Sequence, residues 1–173
     1  MIPFTEQAKW YAQYHHRAAT KYTHMVGIPL ILFSLLLFFG LVHVTVPNTF
    51  DMRLSDFIIL FLIIYYFRLQ WLLTLVLAPI LVLLLLLANW LTAAGPTPYL
   101  LWSMLIIFVI GVIVQLVGHL LEGKRPAIFD NVKFDLASPL FLTAEAFFMA
   151  GKMKGLQEKI YGSAGEQIHI GKE

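Results

Sequence analysis

Four of the six histidines are placed to act together. His15, His16 and His24 flank the beginning of the first long apolar run, and His119 lies near the end of the last one. Imidazole is the commonest metal ligand and a ready acid–base group at neutral pH. His119 and Glu122 are three residues apart and share a face of one helix. His16 and His24 are eight apart, which on an unbroken helix separates them by about 12 Å along the axis. A break between them, with Thr20 as N-cap of the second helix, would let both reach one ion. Three imidazoles and a carboxylate approach the donor set of a non-haem iron site. The same histidines also suit a plainer role, hydrogen bonding to headgroups and loop carbonyls at a membrane surface. The chain has no cysteine, which excludes disulfides, thiolate nucleophiles and Cys-ligated zinc or iron–sulfur centres.

The elements that must carry these groups are apolar helices. Hydrophobic residues make up 60% of the chain and charged residues 13%. Between Met25 and Leu120 the charges are Asp51, Arg53, Asp56 and Arg68. A soluble domain of this size has too little interior to hide so much apolar surface. The composition rules out a nucleic-acid module, and the net charge of +2 is too small to imply a polyanionic partner. The expected fold is an all-α integral membrane protein, a single domain over 1–173 built on about four transmembrane helices. Their predicted bounds are 23–44, 54–68, 71–92 and 98–121. An amphipathic helix is expected at 3–16, where Phe4, Ala8, Tyr11 and His15 recur at helical spacing. Residues 135–150, with Pro139 and Glu145, are expected to form a half-span or an interfacial helix. The stretch 45–56 reads as a turn-rich loop, and 151–173 as a polar tail that frays. Gly27 and Pro29 are expected near the start of the first span, where proline costs a helix least.

Basic residues set the orientation. Arg17, Lys21, Arg68, Lys124, Arg125 and Lys133 fall on one side of a four-span bundle, and the tail lysines join them. Both termini and the histidine cluster are then cytoplasmic, in the plasma membrane of a bacterium or the endoplasmic reticulum of a eukaryote. No cleavable leader is read in the first 24 residues, so the first span is expected to act as its own insertion signal. Lys124 and Arg125 suit an anionic headgroup or a substrate carboxylate, or plain positive-inside flanking charge. Glu145 lies in an apolar run and needs a partner if it is buried. Gly111 and Gly118 suit close helix packing.

Two clusters, YAQYHHRAATKYTHMVGIPL (Tyr11–Leu30) and QLVGHLLEGKRPAIFDN (Gln115–Asn131), resemble the signatures of the 2-hydroxy fatty acid dioxygenase family. PLFLTAE (Pro139–Glu145) resembles a later element of that family. The resemblance implies an iron(II)-dependent enzyme of α-oxidation that uses O2 to shorten a 2-hydroxy fatty acid by one carbon. The yeast member of the family acts in phytosphingosine breakdown. By the resemblance His16, His24, His119 and Glu122 hold the iron and do the chemistry. Lys124, Arg125 and Asn131 bind the substrate. His15, Asp130 and Glu145 stand behind the ligands. Here Glu122 follows the histidine by three residues rather than four, and Arg17-Ala18 and Thr20 replace the Asn-Pro and cap Asn common in the family. Two other functions remain open on the residues alone. One is a haem-b electron-transfer bundle ligated by His24 and His119, and the other is a non-catalytic lipid-binding protein.

Overall fold

The computed structural model describes residues 3–14, 18–47, 50–122 and 136–162. The described chain is mostly helical. Its elements are α1 (Phe4–Tyr14), α2 (Ala18–Gly40), β1 (His43–Val46), β2 (Phe50–Arg53), α3 (Leu54–Leu91), α4 (Pro98–Glu122), α5 (Ser138–Met149) and α6 (Lys154–Tyr161). Among the described residues, α2, α3 and α4 are long and apolar enough to cross a membrane.

The longest of them folds back on itself. Gln70 in α3 has extended backbone angles (φ −157°, ψ 93°) between two helical stretches. Arg53 and Asn89 would lie about 54 Å apart on a straight helix. Instead the Arg53 guanidinium donates to the Asn89 carbonyl, and the Asn89 side-chain amide donates to Asp56 at 2.8 Å. The two halves of α3 therefore form an antiparallel hairpin that turns at Gln70, next to the polar Arg68. The Arg53 guanidinium also reaches the Thr92 hydroxyl, and the Arg53 backbone N–H donates to Asp56 at 2.8 Å. This polar knot starts one helix and closes on the end of its partner. Ile59, Leu62 and Tyr66 on the first half, and Leu73, Leu77 and Leu81 on the second, recur every three or four residues and are buried in one core.

Helices α2 and α4 pack extensively along each other, and glycine sets their separation. A Cβ on Gly111 would stand 2.8 Å from Ile31 Cγ1 and 3.2 Å from the Gly27 carbonyl oxygen. A Cβ on Gly27 would stand 2.6 Å from Gln115 Cγ. Gly118, two turns beyond Gly111, lies against Thr23 and His24. Small residues at two-turn spacing let the backbones meet, as in lipid-embedded helix pairs. Outward, α4 exposes Leu105, Ile106, Val109, Ile110 and Ile113.

Several boundaries depart from the sequence reading. The first long helix spans Ala18–Gly40 rather than 23–44. Its polar first turn stays helical because it packs against other elements, so Pro29 lies inside the helix. The stretch after it is an antiparallel β-hairpin rather than a loop, with His43 opposite Arg53 and Val46 opposite Phe50. Valine and threonine favour a pleated strand. The tail does not fray at Gly151: α6 packs on α1 and buries Ile160.

Candidate functional site

The polar groups collect where the N-terminal end of α2 meets the C-terminal end of α4. Thr20 is not an N-cap, because α2 begins two residues earlier. It is fully buried, and its hydroxyl donates to the Gly118 carbonyl at 3.2 Å, tying α2 to α4. One turn on, His24 Nδ1 lies 2.9 Å from the Thr20 carbonyl. A carbonyl only accepts, so Nδ1 carries the hydrogen, and when the ring is neutral its lone pair is on Nε2. His119 follows Gly118 directly. Because Gly118 has no side chain, the ring of His119 packs edge-on to that of His24, with centroids 4.8 Å apart and planes at 88°. His24 is 3% exposed and His119 8%.

Helix α1 closes over this pair. Tyr11 and His24 would be about 20 Å apart on one continuous helix. Their ring centroids are 6.5 Å apart, so α1 and α2 are not one continuous helix. Tyr11 also packs on Phe141 of α5 at 4.4 Å.

Beside the imidazoles lies a second polar cluster. Glu145 is 2% exposed, in the buried stripe of α5 with Leu140, Phe141, Ala144 and Phe148. Its partner is Lys21, whose Nζ donates to Oε2 at 2.8 Å. The Tyr161 hydroxyl, on α6, donates to Glu145 Oε1 and accepts from Lys21 Nζ at 3.1 Å. The ammonium also lies 4.9 Å from the centre of the Tyr161 ring. Burial pushes the Tyr161 phenol far above its ordinary range, and the Glu145 charge and hydrogen bond push it the same way. The phenol is therefore a fixed hydrogen-bond donor at neutral pH. Lys21 precedes His24 by three residues, so both clusters hang on one turn of α2.

The structure thus brings together His24 and His119 and pairs Glu145 with Lys21, one turn of α2 before His24. For Glu122 only the backbone, at the end of α4, is described. His15, His16, Lys124, Arg125, Asp130 and Asn131 lie outside the described residues. Among the described residues no group of three or more His, Cys, Asp or Glu is disposed to hold a metal ion. The two described imidazoles are nevertheless of a donor type that metal ions take. Two imidazoles bound to one ion at about 2.1 Å bring their rings to about 5 Å between centres, as in this pair. A backbone carbonyl orienting Nδ1–H is the usual support of a metal-binding histidine. Sequence reasoning missed Lys21, Tyr11 and Tyr161. The demand of Glu145 for a cation was the signal for Lys21. Tyr161 gave none, standing in a tail read as frayed.

Fold and site together define a helical protein with membrane-compatible spans and a buried imidazole pair at one end of the bundle. The chain belongs to the family described as 2-hydroxy-palmitic acid dioxygenase Mpo1-like, whose model matches residues 1–150. No curated protein and no solved structure matches it.

Proposed function

We propose that this protein is an iron(II)-dependent dioxygenase that converts a 2-hydroxy fatty acid, with O2, to the fatty acid one carbon shorter. The observation that carries the reading is the buried His24–His119 pair at the α2–α4 crossing, in a chain of this family. His24, His119, His16 and Glu122 would hold the ion. Bound there, iron(II) supplies O2 activation and a chelation point for the 2-hydroxy-carboxylate. The Thr20 carbonyl holds His24 in the tautomer that presents Nε2, and the Thr20 hydroxyl locks that turn to Gly118. Tyr11, which lies against His24 and packs on Phe141, helps to keep water from that imidazole. Glu145 stands behind the site rather than in the ligand set, since both its oxygens are engaged. Lys124, Arg125 and Asn131 are proposed to receive the carboxylate, with His15 and Asp130 behind them.

The chain is read as crossing the bilayer four times, through α2, the two halves of α3, and α4, with α5 as a half-span. Both termini and the site then lie on the cytoplasmic face, within the plasma membrane or the endoplasmic reticulum. In a cell that makes sphingolipids, the substrate would come from long-chain base breakdown. A haem between His24 and His119 is disfavoured by their edge-on contact, which leaves no slot for a macrocycle.

The test is metal analysis and turnover of the purified protein beside the alanine variants of His16, His24 and His119. Each variant is expected to lose about one equivalent of iron(II) per chain and the conversion of 2-hydroxypalmitate to a product one carbon shorter. Wild-type protein that turns over no 2-hydroxy acid, or variants that keep both iron and activity, would refute the reading.

A further inference from the structure

His24 is 3% exposed and His119 8%, so a molecule that is to reach either ring needs some element to yield. Helices α2 and α4 are locked together by their glycine contacts and by the Thr20–Gly118 bond. Helix α5 is held to α3 by the Tyr66 hydroxyl on the Leu136 carbonyl and by its own buried stripe. Among the described helices that leaves α1 and α6, of 11 and 8 residues. Helices so short are marginal alone in water, so each depends on what it packs against. These two pack on each other. Segments with few ties to the core are the ones that open locally while the rest stays folded.

On α1, Phe4, Ala8, Tyr11 and Ala12 recur at helical spacing and are all buried, while Glu6 and Lys9 are exposed. Its apolar face is therefore turned to protein rather than to lipid, and Tyr11 on that face lies against His24. Helix α6 buries Ile160 and leaves Lys154, Glu158 and Lys159 exposed. It is entered through Met153 in the left-handed region (φ 57°, ψ 36°), which a side chain rarely adopts, so its docking must offset that strain. The polar tie is Tyr161, whose hydroxyl donates to Glu145 and accepts from Lys21 Nζ at 3.1 Å. Tyr11 is close enough to raise the cost of ionising Tyr161. Tyr11 thus neighbours both His24 and Tyr161.

We infer that α1 and α6 form a two-helix lid over the imidazole pair, latched by the Tyr161 hydroxyl. Tyr161 is a positioning residue. It acts through α1, which it helps to hold down on His24. The lid controls access to the site, whichever reaction runs there.

The chain has no cysteine, so one introduced thiol reports its own position without background. Ala8→Cys puts a thiol under α1, at a position 1% exposed, and Ala88→Cys puts one in the α3 core, at 0%. The full-length protein in lipid nanodiscs, with no metal added, is treated with a water-soluble maleimide. Tyr161→Phe keeps the ring and removes the hydroxyl that bonds two charged groups. It is expected to speed labelling of Ala8→Cys by about tenfold or more and to leave Ala88→Cys unchanged. Acylation by diethyl pyrocarbonate, read at each histidine by mass spectrometry, is expected to rise in step at His24 and His119. The exposed His43 is expected to react at the same rate in both proteins. Ile160→Ala loosens α6 by a different contact and is expected to act in the same direction. Unchanged rates at Ala8→Cys in both variants overturn the inference. So does faster thiol labelling with no change at His24 and His119, which would separate α1 from the site. An equal rise at Ala88→Cys, which marks global unfolding, also overturns it. None of these readouts involves turnover, so failure of the lid and failure of the proposed function are distinguished.

Discussion

The spacing of α2 and α4 predicts that one methyl group controls the site. A Cβ on Gly118 would enter the Thr23 side chain and come within 3.3 Å of His24 Cε1. Thr23 has little freedom to yield, because its hydroxyl donates to the Thr20 carbonyl at 2.9 Å, and that carbonyl also holds His24. Gly118→Ala must therefore move α2 away from α4 or turn the His24 ring off His119. Overpacking of this kind costs about 1–3 kcal/mol. The intrinsic helix preference of alanine over glycine returns about 1 kcal/mol of that. The net loss of stability is thus small, about 0–2 kcal/mol, whereas iron content and turnover are expected to fall by tenfold or more. Gly111→Ala is the contrast. Its Cβ would meet the Ile31 backbone nitrogen at 3.1 Å, and backbone does not give way. It lies about 10 Å deeper than Gly118, so it is expected to destabilise more and to affect iron binding less at temperatures where it is folded. Gly155→Ala, which meets nothing within 4 Å, is the control and is expected to gain up to about 1 kcal/mol. The assays are chemical unfolding in detergent micelles and iron per folded chain. Gly118→Ala with wild-type iron content and turnover would refute the argument that glycine permits the imidazole contact.

The Lys21–Glu145 pair predicts strong coupling. Lys21→Met leaves a buried carboxylate with Tyr161 alone and is expected to cost about 3 kcal/mol, the low end for a broken buried pair because Lys21 is 22% exposed. Glu145→Gln keeps hydrogen-bonding capacity and is expected to cost about 1–2 kcal/mol, with the double variant little worse. Additive costs in a double-mutant cycle would show that the pair is not coupled. The raised Tyr161 phenol predicts a signature at high pH. The phenol ionises in the unfolded chain from about pH 10 but stays neutral when folded, so its stabilisation is whole below pH 10 and declines above it, by about 1.4 kcal/mol per pH unit. The wild type is therefore expected to lose its advantage over Tyr161→Phe above pH 10, and a difference that stays constant to pH 11 would count against a buried neutral phenol. Asn89→Ala removes one tie between the ends of the α3 hairpin, its 2.8 Å bond to Asp56, while the Arg53 bonds to the residue-89 carbonyl and to Thr92 remain, and it is expected to cost about 1–2 kcal/mol in unfolding experiments.

Much of this architecture was legible in the sequence. Scarcity of charge between Met25 and Leu120 demanded apolar spans, and the interruption at Arg68–Gln70 marked where one long helix turns back. Gly111 and Gly118, two turns apart, announced a packed face. In a four-span topology the start of the first span and the end of the last lie on one face, which puts His24 and His119 at the same end of the bundle. Other features had no local signature. Thr20 carries the chemistry of a cap, yet its hydroxyl bonds to a carbonyl 98 residues away. Lys21 reaches Glu145 across 124 residues and Tyr161 across 140.

The sequence by itself determined which segments must leave water and at which end their polar residues lie, since hydropathy and periodicity act within one element. Only the tertiary structure decided which side chains meet there. The contact that lays Tyr11 on His24, the hairpin that joins Arg53 to Asn89, and the docking of α6 that aims Tyr161 at Glu145 are each fixed by packing between elements distant in the chain. Periodicity names the buried face of a helix and says nothing of what lies opposite. The opposite partner is chosen by volume and by pairing of buried charge, and those terms exist only when the chain has folded.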